Sequence, residues 1–102
     1  MKTVSELRKI TLNALESKIL FEVETSVDND GGYCFSSIDD AYNYVERVIK
    51  AQTNTELFKC DDFEKINYIQ ITMHFIENAN EITPLALFAR KNDTEFFESI
   101  LI

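Results

Sequence analysis

The sequence predicts a mainly α fold: a small helical domain of about five helices, spanning residues 1–102 as a single domain, in which one short β-hairpin near residues 19–35 is an open alternative. Three observations predict it. Good N-cap residues stand at Thr3, Ser36 or Ser37, Asp61 and Thr83, each just ahead of an apolar run. Behind each cap, apolar residues recur at spacings of three and four. The chain also ends on Ile100, Leu101 and Ile102, an apolar terminus that something upstream has to cover.

In order, Thr3 to Glu6 fits a capping box, and Val4, Leu7, Ile10, Ala14 and Leu15 predict a first helix to about Lys18. From Ile19 to Val27 the alternation of Ile19, Phe21, Val23 and Thr25 with Leu20, Glu22 and Glu24 has the period of a strand. Asp28 to Gly32 is the strongest turn signal and holds both glycines, so a hairpin returning through Tyr33 to Phe35 competes with a helix that ends in a loop. Asp39 and Asp40 then favour a helix start at 38. Ile38, Ala41, Val45, Val48 and Ile49 give it a clean stripe to about residue 52, flanked by Tyr42 and Tyr44.

Residues 51–60 read as a connection. Asp61 to Glu64 predicts another capped start, with Phe63, Ile66, Ile69, Met73 and Ile76 at helical spacing; a strand over 66–75 is the alternative. Asn78 to Asn80 closes that element. Thr83-Pro84 then predicts a short helix through Leu85, Leu87, Phe88 and Ala89, closed at Asn92. A second helix follows, capped by Asp93 or Thr94 and carrying Phe96, Phe97, Ile100 and Leu101. This C-terminal pair resembles one ankyrin repeat: Thr83-Pro84-Leu85-Ala86 matches the opening of the repeat, with Ala89, Asn92 and Glu95 in register. Ala86 stands where the family has histidine, Phe88 is larger than the usual alanine, and Asn92 replaces glycine. One repeat back there is no second signature, so the resemblance implies a lone helical hairpin packed on a different kind of domain from an ankyrin array.

Ten basic residues against eighteen acidic give a net charge of −8. That argues against direct binding to nucleic acid, which needs basic patches, and against an anionic membrane. No apolar run is long enough to span a bilayer, and the N-terminal stretch has no apolar signal core. Cys34 and Cys60 therefore read as free thiols in a reducing cytosol, and the expected location is cytoplasmic. Asp28 and Asp30 ahead of Gly31 resemble half of a calcium loop, but Ser26 and Ser37 stand where the first and last ligands belong. Two separated cysteines and His74 make no zinc set. His74 sits beside Gln70 and Glu77, which reads as a solvated flank rather than a base for Cys34. The expectation is no catalytic, cofactor-binding or metal residues, and no enzyme.

Acids gather at Asp39 and Asp40 and again at Asp61, Asp62 and Glu64, at two expected helix starts. With Tyr42 and Tyr44 they form the candidate partner-binding set, since aromatic anchors are enriched at interfaces. In size and charge the chain is similar to bacterial immunity and antitoxin proteins. That resemblance implies a protein-binding inhibitor that neutralises a basic toxin or nuclease, with no cofactor. The alternatives are a phage anti-defence protein whose acidic face mimics nucleic acid, and a scaffold module docking through the ankyrin-like hairpin or onto a second copy.

Overall fold

The computed structural model describes residues 19–28, 32–75 and 82–101. Among them the protein is a five-stranded antiparallel sheet, in the order β2-β1-β3-β4-β5, with one α-helix against one face. The expected mainly helical domain is therefore corrected to a mainly β one. The strands are β1 (Ile19–Thr25), β2 (Tyr33–Phe35), β3 (Tyr68–Phe75), β4 (Ile82–Asn92) and β5 (Glu95–Ile100). The helix, α1, is Ile38–Gln52, and a single 3₁₀ turn covers Leu57–Lys59. The first expected helix, residues 3–18, and the Asn78–Asn80 terminator lie outside the described residues, as do residues 29–31 of the turn.

Two expectations hold. β1 and β2 pair antiparallel as the hairpin alternative over 19–35 expects, with Phe21 opposite Phe35 and Val23 opposite Tyr33. The helix expected over 38–52 is α1, capped by Ser37, whose hydroxyl accepts from the Asp40 N–H at 3.2 Å. Asp28 closes β1: its carboxylate accepts from the Thr25 N–H at 3.0 Å, and its own N–H returns to the Thr25 carbonyl. This local closure uses the carboxylate that the calcium-loop pattern would have spent on a ligand.

Three expected helices are corrected to strands. Over 66–75 both periods were present, and the strand wins. Tyr68, Ile69, Ile71, Thr72 and Phe75 are the branched and aromatic types that fit a pleated surface. Ile69, Ile71 and Met73, two apart, turn to the core beside Thr25, Val23 and Phe21 of β1. The Asp61–Glu64 start caps nothing, because the residues from Phe63 to Asn67 run irregularly into β3. The C-terminal helical hairpin is a β-hairpin instead. Asn92 faces Glu95 across a two-residue turn, and the Asn92 side chain accepts from the Thr94 N–H at 2.9 Å. The two antiparallel helices that an ankyrin unit implies do not form there.

Pro84 and the helix formers around it are accommodated by a register break. Ile71 pairs with Ala86, but the next residue, Thr72, pairs with Pro84, so Leu85 is the extra residue of a bulge. Leu85 and Ala86 are then both fully buried, although they are sequence neighbours. The core lies between α1 and the sheet: Ile38, Ala41 and Val45 meet Phe21, Val23, Ile69, Ile71 and Phe88. Burying such side chains stabilises by about 1.5–3 kcal/mol each.

Candidate functional site

The expected partner-binding residues are divided by α1 rather than gathered. Asp39 and Asp40 lie exposed on its first turn. Asp61, Asp62 and Glu64 lie exposed beyond its other end, in the loop that leads to β3. Glu64 is placed by its backbone, whose carbonyl accepts from Gln52 Nε2 at 2.9 Å. Gln52 is the last residue of α1, so the Glu64 backbone is tied about 20 Å from the first-turn acids at 1.5 Å per helical residue.

The two tyrosines are not exposed anchors. Tyr42 is buried at 8% exposure, edge-on to Phe88, and its hydroxyl donates to Glu98 at 3.2 Å. Burial, followed by the adjacent Glu98 charge, raises its pKa well above the usual phenol value. Tyr44 is half-buried between Tyr33 and Phe35, with ring centroids at 5.2 and 5.4 Å. Both rings tie the helix to the sheet.

Sequence reasoning missed the polar group on the sheet face away from α1. The alternation of β1 puts Glu22 and Glu24 on that face, and the register sets Glu22 opposite Cys34 on one side and Thr72 on the other. His74, on β3, brings Nε2 to 3.1 Å from Glu22 Oε1. The two carboxyls titrate as a pair. Hydrogen bonding to Glu24 lowers the Glu22 pKa, assisted by His74, while the same bond and burial raise that of Glu24. Glu24 therefore holds its proton longer and lends it to Glu22. Burial, with Glu22 nearby, also raises the Cys34 thiol, which keeps it protonated and a poor nucleophile. The arrangement can share a proton and bind a cation electrostatically, but Cys34 is not activated in it. Among the described residues no group of three or more His, Cys, Asp or Glu side chains has the geometry to hold a metal ion. Cys34 and Cys60 are both free and exposed.

A second cluster is structural. Arg90 on β4 donates through Nε to the Ile66 carbonyl at 2.8 Å and through Nη2 to Gln52 Oε1 at 2.6 Å. Its guanidinium lies 4.7 Å from the Phe96 ring centre. Gln52 Oε1 also accepts from the Ile66 N–H at 2.8 Å, so one amide ties the end of α1 to β4 and to the approach to β3. Lys65 pairs with Asp93 across the same corner.

At the outer end of the sheet, β5 is the terminal strand among the described residues. Phe97 on β5, Ala89 on β4 and Tyr68 on β3 form one cross-strand row on the face away from α1, with Phe97 60% exposed. On the helix side Glu98 stands exposed between Phe96 and Ile100. Among the described residues no helix is long and apolar enough to cross a membrane. Comparison with protein-family models, with curated proteins and with solved structures found nothing that matches this chain.

Proposed function

We propose that this chain is a non-enzymatic, cytoplasmic binding protein that inhibits a basic protein partner, with a toxin or nuclease as the type of target. One observation carries the reading: a net charge of −8 whose carboxylates stand exposed at both ends of α1 and along β5. Such a surface steers a basic protein into encounter and selects against acidic ones. Asp39, Asp40, Asp61, Asp62 and Glu64 remain the proposed contact acids, acting as two patches rather than one, while Tyr42 and Tyr44 serve the fold. A protonated Cys34 and a His74 engaged by Glu22 support a binding role over thiol catalysis. The free thiols Cys34 and Cys60 support a reducing compartment.

The test is affinity purification of the tagged chain from its native host, with quantitative identification of what co-purifies. The expected result is a stoichiometric basic protein whose activity the chain suppresses. A stoichiometric acidic partner, or turnover of a small molecule by the purified chain, would overturn the reading.

A further inference from the structure

We infer that the outer edge of β5 takes an extended basic segment of the partner as a sixth strand of the sheet. This rests on the reading of a basic protein partner and adds how that partner is held. The Leu101 N–H donates to the Leu85 carbonyl at 2.8 Å. In an antiparallel ladder alternate residues turn their backbone groups to the same neighbour. Phe97 and Ser99, opposite Ala89 and Leu87, therefore bond inward to β4, whereas Phe96, Glu98 and Ile100 direct their N–H and C=O groups outward.

That row is a template for another strand, and this one carries few of the usual guards. Edge strands are commonly kept short or blunted by lysine or proline. The strand at the other end of the sheet, β2, has three residues; β5 has six and contains neither lysine nor proline. Its two faces specify what would pair. Facing α1, Glu98 flanked by Phe96 and Ile100 suits a lysine or arginine directly opposite. Facing the other way, exposed Phe97 suits an apolar side chain. The occupant is thus an alternating basic–apolar strand, recognised through main-chain hydrogen bonds with side-chain selection at alternate positions. A second copy is disfavoured, because a two-fold pairing centred on Glu98 sets that carboxylate against its own copy.

The test uses a capped alternating Lys-Val peptide as probe, with amide hydrogen exchange read residue by residue. The expected result is protection of the Phe96, Glu98 and Ile100 amides on binding. The same peptide N-methylated at each lysine loses that protection and about tenfold or more in affinity, because its N–H groups can no longer pair. Glu98→Pro, which removes an outward N–H from the ladder and also the carboxylate that accepts from Tyr42, matches that loss, while Glu98→Gln, which removes the charge and keeps the N–H, weakens binding by only a few fold and flattens its salt dependence. If the N-methylated peptide binds as well as the parent, strand addition is overturned and the basic-partner reading survives. If neither the peptide nor polylysine binds the chain, the basic-partner reading itself is overturned. Doubling of the mass with concentration, abolished by Glu98→Pro, would replace the basic segment with a second copy.

Discussion

Gln52 and Arg90, thirty-eight residues apart, close on each other at 2.6 Å, and the carbonyl of Gln52 takes the same guanidinium at 3.2 Å. This pair fastens the C-terminal end of α1 to β4, where a cation also complements the negative end of the helix dipole.

Truncating Gln52 to alanine strands a buried Ile66 N–H and the Glu64 carbonyl, while Arg90 keeps the backbone carbonyl of residue 52. Leaving buried groups without partners costs about 1–3 kcal/mol each, so Q52A should lose roughly 2–4 kcal/mol. Urea unfolding with an unchanged slope checks it; a loss below about 0.5 kcal/mol would show that water replaces the amide.

Tyr42→Phe removes the hydroxyl that donates to Glu98 but keeps the ring against Phe88. The expected loss is about 1 kcal/mol. In alkaline titration the wild type should show one phenol that ionises only as the fold opens, since burial and Glu98 raise it. The variant should lack that phase.

Glu22 and Glu24 should give opposite slopes of stability against pH. The lowered Glu22 stabilises above its unfolded pKa of about 4.5 and loses that contribution as pH falls through its folded value. The raised Glu24 stabilises below about 4.5 and loses that contribution as pH rises through its folded value. Glu24→Gln should therefore abolish the decline on the high-pH side and change stability at pH 7 by less than about 1 kcal/mol, given solvent screening. Chemical denaturation from pH 4 to pH 8 reads both limbs, and an unaltered high-pH limb in the variant would contradict the paired assignment.

Gly32 sits where an added Cβ would fall inside van der Waals contact of the Val23 carbonyl, a backbone atom with little room to move. Gly32→Ala should cost about 1–3 kcal/mol and loosen β2 from β1. Hydrogen exchange should rise first at Tyr33 and Phe35; an unperturbed hairpin would show that the turn can shift.

The part of this fold legible in the sequence is the part governed by local rules. α1 carries its cap, its acidic first turn and a single clear period; β1 shows strict alternation. β3 has two periods, and pairing with β1, remote in sequence, and with the following strand β4 decides between them. β4 is the hardest case: Ala86, Leu87 and Ala89 favour helix, and Pro84 suits a helix start as well as it suits a bulge. Nothing local shows that the strand is held by β3 and β5. For the candidate site, Tyr42 falls four residues after Ile38 and one after Ala41, so its burial was available from the helical spacing. The meeting of His74 with Glu22 was not, because it depends on strand register across fifty-two residues.

If the acidic surface captures a basic protein by charge, the association rate constant with the co-purified partner must respond as ionic strength rises from 50 to 500 mM. Electrostatic steering predicts a fall of about tenfold or more, with the dissociation rate changing far less. A rate that stays constant over that range would contradict the claim.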